Sequence, residues 1–386
     1  TYYGNFGNLR PFIDLNCHSG ETVLDPLKNV VSEFNGTIRP GKQEANMTNI
    51  PRRIHTLLVL ATAVVLASWA SGSFAKTYDL KIGFVTVKGP QQGSSEFYKK
   101  EIEKRTNGRI KVKIFPAAQL GTIPRQIEGI QLGTQEAFHT PPGFFVGINQ
   151  AFQVVDAPGL FDDLDHQHRT VNHPTVREKL LGLAKKSGIV GCYLFGSGEG
   201  AFATKMPLNT IARMKGKKIR VLASKLEIEL MRRLGMTGIP IPFSEVLPSI
   251  QRNVVDGARS AIVVMGPSKF YTVAKHITLT HGGFIPTGIW FSRAWLKKVP
   301  ADLRKMLFDL GPEAANEGLR ISKGINRLWE KKWAEEGGTV HYLSSKDRKE
   351  FMRRARPIGD TILGANPKTS EMWKIFKAAA EATRKQ

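Results

Sequence analysis

The chain has 386 residues, 41% of them hydrophobic, and a formal net charge of +23 at pH 7. That length exceeds one average domain and the apolar content supports sizeable cores, which excludes a globally disordered chain. The basic excess admits nucleic acid, an anionic membrane or an anionic ligand as partners. However, the basic residues stand beside acids (Lys99-Lys100-Glu101, Glu103-Lys104-Arg105) with no arginine-rich run, so no nucleic-acid partner is expected.

Residues 1–46 open on Thr1 and show no sustained apolar period, so they read as an upstream extension outside the fold. From Met47 the chain carries basic Arg52-Arg53, an apolar run over 57–67 and the small-residue tail Ser71-Gly72-Ser73-Phe74-Ala75. A basic start, a short apolar centre and an S-x-A end describe a secretory signal peptide over 47–75, cleaved after Ala75. The run falls short of the roughly 20 apolar residues that a membrane span needs. Beyond residue 75 only Cys192 of the two cysteines remains, so no internal disulfide and no thiolate metal site is expected there. It lies in the apolar run 189–195 and reads as buried and inert.

The next elements follow in order. Residues 80–87 read as a strand, 88–93 as a loop, 94–106 as a helix stopped by Asn107-Gly108, and 109–115 as a second strand with Ile110, Val112 and Ile114 alternating. Strand, helix, strand at these lengths is a βαβ unit and implies a parallel sheet. A helix to about residue 132 and another over 176–186 follow, with loops at His139–Gly143 and Asp156–Phe161 between them. A second βαβ unit has its strand at 218–222, its helix at 224–234, Gly235 as stop and a strand at 239–241. Two such units imply two α/β lobes, with ligands beyond the carboxyl ends of the strands. A helix over 245–252 and a strand over 259–265 come next. Helical periods at 301–323, 326–336, 347–360 and 369–385 make the C-terminal region helical.

Within Met214-Lys215-Gly216-Lys217-Lys218-Ile219-Arg220-Val221, strand alternation sends Ile219 and Val221 to one side and Arg220 to the other. Between two helical layers the Arg220 charge needs a partner. That partner is either a protein acid such as Glu245 or Asp256, or a small anion whose carboxylate matches the guanidinium fork. Phe243 reads equally as the wall of such a site or as ordinary core, and Trp290 as core. Thr86, Thr140 and Ser260 lie at or near strand ends and are candidate hydrogen-bond donors. His166 and His168 lie with Asp162, Asp163 and Asp165, but their spacing puts the two rings on different helical faces, and acids at a helix start need no metal. No metal and no cofactor are expected. Gly196-Ser197-Gly198-Glu199-Gly200 echoes a nucleophile elbow with the serine displaced by one position, and it lacks the ending of a phosphate loop.

These stretches resemble a known family. Thr106–Val112, Gln119–Thr122, Ala157–Phe161, Met214–Val221, Ile241–Glu245, Val254–Gly257 and Lys269–Tyr271 occur in register with the solute receptors of tripartite ATP-independent periplasmic (TRAP) transporters, the DctP-like family. The resemblance covers about residues 76–330. It implies an α/β periplasmic binding protein fold, with two lobes around a cleft and a helical C-terminal region. Lobe I is then 76–196 with 286–325, and lobe II is 197–285 with 326–386. It further implies a periplasmic receptor, expected as a monomer, that takes a small organic acid and delivers it to the membrane subunits of a TRAP permease. In that family the residue matching Arg220 clamps the ligand carboxylate and the one matching Phe243 packs on its body. Two positions depart from the pattern. Glu199 stands near where a second arginine is usual, and Arg259-Ser260 replaces a Glu-Asn pair. Glu199 and Arg259 then pair with each other, or Glu199 meets an amino group on the ligand. The alternative is a secreted small-molecule enzyme of α/β fold, although no nucleophile–base pair is visible.

Overall fold

A computed structural model describes residues 76–384. The extension and signal-peptide readings over 1–75 lie outside the described residues.

The first βαβ unit is present, with β1 (Tyr78–Gly83) and β2 (Ile110–Phe115) paired in parallel across α1 (Pro90–Arg105). Its limits differ from expectation for two reasons. At Gly83 a Cβ would lie 2.2 Å from Gln126 Oε1, and after this close approach the chain leaves the sheet, so 84–87 is not strand. The helix starts earlier because Pro90 occupies its first turn, where a missing N–H costs nothing. There follow α2 (Ile123–Leu132), β3 (Ala137–Thr140), α3 (Leu164–Asn172) and α4 (Pro174–Gly182). The helix expected over 176–186 is α4: it starts earlier, because Pro174 can open a helix, and it ends at Gly182, with a separate single turn over Lys185–Ser187. Asp163 caps α3 by accepting from the His166 N–H, so this acid has a structural task.

The strand β4 (Ile189–Thr204) continues without a break through the glycine-rich stretch. After it come β5 (Lys218–Val221), α5 (Lys225–Arg233) and β6 (Thr237–Pro240), the second parallel unit, and then β7 (Gly257–Ala261). The strand expected over 259–265 stops at Ala261 and turns into the helical segment Ile262–Met265. β8 (His276–Ser292) pairs antiparallel with β4 over nearly its whole length. The C-terminal region is helical, with α6 (Gly311–Glu335), α7 (Ser345–Ala355) and α8 (Ser370–Thr383), and one further strand, β9 (Thr339–Tyr342), beside β8. The break expected near residue 324 is absent: Gly324 lies within the 25-residue α6.

The strands of the described residues form one nine-stranded sheet of order β2-β1-β3-β8-β4-β7-β5-β6, with β9 attached to β8. The two parallel units occupy its two ends, and β4 and β8, 16 and 17 residues long, carry the sheet from one to the other. Helices on both faces bury three apolar clusters. Trp290 is fully buried against Phe145 and Phe152, and its indole N–H donates to the Thr140 carbonyl at 3.1 Å. Cys192 is also fully buried, and burial pushes its thiol up to about 12.

Candidate functional site

Gly216, at φ +76°, makes the left-handed turn before β5, and its N–H donates to the Gly235 carbonyl at 2.7 Å. From that start β5 alternates as expected. Ile219 and Val221 enter the apolar cluster under α5, and Arg220 points to the opposite face while remaining 3% exposed. Parallel register sets Arg220 opposite Ala258 on β7. Arg220, Ala258 and Ser260 therefore share one face, and Ile219, Val221 and Arg259 share the other.

The Arg220 Nε–H donates to the Ile241 carbonyl at 2.9 Å, and its guanidinium carbon lies 6.0 Å from the centre of the Phe243 ring. Among the described residues no carboxylate lies within 4.0 Å of it. Glu245 is exposed, and Asp256 instead accepts from the Lys218 N–H at 2.7 Å. Burial lowers the guanidinium to about 10, partly offset by the charge of Glu227, so Arg220 remains a cation at neutral pH. It faces a cavity of about 810 Å³ that narrows into an inner chamber of about 60 Å³. Val85, Ile123, Phe144, Arg220, Leu222 and Phe243 line both spaces. The walls come from both ends of the sheet: residues after β1 and on α2 on one side, those after β5 and β6 on the other. Phe243 stacks on Phe270 at 6.0 Å and 22°, which fixes the ring beside the guanidinium.

The inner chamber gathers Thr86, Thr140 and Ser260, and adds Gln91, Ser197 and Thr287, which the sequence reading did not single out. The Thr86 hydroxyl donates to Gln91 Oε1, and the Gln91 amide donates to the His139 carbonyl at 3.0 Å. The hydroxyls of Thr140, Ser197 and Ser260 are engaged by no other described residue. A wider depression of about 1300 Å³ beside α7 is open and lined mainly by charged surface residues such as Lys346, Arg348 and Arg353.

Two expected residues lie away from this cavity, and they do not pair with each other. Glu199 accepts from the His281 backbone N–H and pairs with the His281 ring at 2.8 Å. Arg259, on the far face of β7, is 4% exposed and forms a buried ion pair with Glu227. Alternation along β7 is the reason, because Arg259 and its neighbour Ser260 cannot face the same space. Gly200 and Gly283 make room for the Arg259 guanidinium: a Cβ at either would lie 2.6 Å from Nη2. Glu227 and Asp156 were missed. Asp156 stands beside the pair, and burial, reinforced by the Glu227 charge, pushes its carboxyl up to about 7. The readable signal was Glu227 itself, an acid on the same helical face as Leu226, Leu230 and Met231.

Comparison with known proteins decides the family. Residues 84–364 match the model of DctP, bacterial extracellular solute-binding protein, family 7. The chain belongs to this family. It is accordingly a TRAP-type solute-binding receptor and not an enzyme, which sets aside the alternative reading. It is 28% identical over 317 residues to the C4-dicarboxylate-binding periplasmic protein DctP of Rhodobacter capsulatus, covering 81% of this chain and 94% of the relative. It is 27% identical over 287 residues to the 2,3-diketo-L-gulonate-binding periplasmic protein YiaO of Escherichia coli, covering 74% and 87%. A TRAP periplasmic solute-binding protein from Desulfovibrio salexigens, solved with bound orotic acid, superposes with a TM-score of 0.75 at 25% identity, covering 80% of this chain and all of the other. None of the described helices of this receptor is long and apolar enough to cross a membrane.

Proposed function

We propose that this receptor captures a small organic acid by an ion pair between Arg220 and the ligand carboxylate, and delivers the acid to the membrane permease of a TRAP transporter. The observation that carries the reading is a buried guanidinium with no carboxylate of the described residues within 4.0 Å, facing a cavity beside an aromatic ring. Burial has already stripped water from Arg220, so an arriving carboxylate finds a cation oriented by Ile241 and Phe243. Thr140, Ser197 and Ser260 supply hydroxyls around the same end of the ligand, while Phe243 packs on its body. Lobe I (76–196 with 286–325) and lobe II (197–285 with 326–386) close over the acid. Closure is favoured only by the difference in ligand affinity between the closed and open arrangements. The receptor acts as a monomer after export to the periplasm under the signal peptide 47–75. The relatives support the ligand class: their names record C4-dicarboxylates, 2,3-diketo-L-gulonate and orotic acid, all of them acids.

Native mass spectrometry of the purified protein tests capture, with a retained small acid expected. Calorimetry with that acid tests the anchor, since Arg220→Ala removes one partner of a desolvated pair. Unchanged affinity in the variant rejects the clamp.

A further inference from the structure

We infer that the acid this cavity takes is a monocarboxylate with an apolar body, an aryl or branched-alkyl acid, and not a dicarboxylate or a sugar acid. The inference rests on the receptor reading above and narrows its ligand. Among the described residues lining the cavity and its inner chamber, Arg220 is the one charged side chain. The two other ionisable positions that the sequence offered are spent elsewhere, Glu199 on His281 and Arg259 on Glu227. A second carboxylate would therefore lose its water without gaining a cation, which disfavours binding.

The neutral groups are as selective. The hydroxyls of Thr140, Ser197 and Ser260 gather in a chamber of about 60 Å³, enough for the carboxylate end and one small substituent such as a 2-oxo group. In the larger space the body meets Val87, Ile127, Ile148, Leu247, Phe243 and Phe270. Of its polar side chains, Thr122 and Ser244 are exposed and Ser268 is half-buried. A sugar acid would press several hydroxyls against walls where Ser268 is the one half-buried hydroxyl, and each further buried hydroxyl left unpaired weakens binding. An aryl or branched-alkyl body loses nothing there and gains contact with the Phe243–Phe270 stack.

Calorimetry of the full chain against phenylacetate, 4-methyl-2-oxopentanoate, succinate and galacturonate decides the matter, with each acid repeated on Arg220→Ala. The expected result is that one or both apolar acids bind roughly 100-fold or more tighter than succinate and galacturonate, with a negative heat-capacity change and near-complete loss in the variant. Phe243→Ala should weaken phenylacetate more than it weakens succinate. Succinate or galacturonate binding as tightly as or tighter than both apolar acids, still lost in Arg220→Ala, overturns the ligand class and leaves the receptor clamp standing. Binding that survives Arg220→Ala overturns the clamp together with the ligand class, and no binding by any of the four overturns the ligand class.

Discussion

Arg220 and Arg259 sit on adjacent strands of one sheet, both almost fully buried, and meet opposite conditions. Arg259 has Glu227 as a counter-ion and two glycines cleared for its guanidinium. Arg220 has one backbone carbonyl, an aromatic ring and open space. A buried charge neutralised inside the protein holds the fold together; one left without an acid weakens the fold and is available to a guest. The strand alternation that separates their faces is what gives the two arginines different surroundings.

Substituting each arginine in turn is the strongest way to break this comparison. Arg220→Ala should reduce affinity for the bound acid by about 2–5 kcal/mol, the range for truncating one partner of a buried charge pair. In the ligand-free protein Arg220→Met should leave stability within about 1 kcal/mol of the parent, because only one hydrogen bond is lost and an unpaired charge goes with it. Arg259→Ala should behave in reverse. Glu227 would remain buried and unpaired, costing about 3–5 kcal/mol of stability in urea denaturation. Acid affinity, measured where the variant is folded, should change little. Exchange of these two outcomes would mean that the faces of β7 and β5 have been misassigned.

Asp156 sharpens the Arg259 side. Its carboxyl is raised to about 7 from an ordinary value of 3.8, first by burial and then by Glu227. The folded state therefore holds a proton that the unfolded chain releases at lower pH. Stability on this account falls as pH rises from about 4 to about 7 and stays lower above it. Asp156→Asn removes that dependence, so the melting-temperature difference between variant and parent should grow in the variant's favour across this window. A difference independent of pH would show that the carboxyl does not titrate there. On the Arg220 side, Phe243→Ala should weaken acid binding by about 1 kcal/mol, combining lost cation–π contact and lost packing on the ligand.

The sequence carried the local part of this architecture and lost the non-local part. Both βαβ units, the turn at Gly216 and the direction of Arg220 follow from alternation and glycine stops that act over a few residues. The long strands β4 and β8 did not. Gly196, Gly198 and Gly200 carry the chemistry of a loop, but their task is close approach: a Cβ at Gly198 would lie 2.8 Å from Ala261 Cβ, and one at Gly200 would meet Arg259. Such reasons lie on partner strands and are invisible in the stretch itself. The pairing of Arg259 with Glu227 was hidden in the same way, although alternation alone forbids Arg259 and Ser260 from facing one ligand. Ser197 joined the site because β4 bends past the chamber, with register shifts at Gly196/Gly198 and Glu199/Ala201.

The smallest effect is expected at Glu199, and it separates a ligand contact from a structural one. Glu199 braces β8 by engaging both the backbone N–H and the ring of His281, whose own backbone is left-handed at φ +48°. The hydrogen bond that the His281 ring donates to Glu199 raises the His281 pKa above its ordinary 6.5. A histidine raised on folding contributes stability that is complete below the unfolded value and is lost as pH rises through the folded value. Glu199→Gln should therefore lower the melting temperature slightly at pH 6 and less at pH 9, since its amide oxygen can keep the backbone bond but not the ion pair. Acid affinity should be unchanged at both pH values, because Glu199 lines neither the cavity nor the inner chamber. A loss of affinity confined to amino-bearing acids would instead place Glu199 against the ligand, and would require β4 to rearrange on closure.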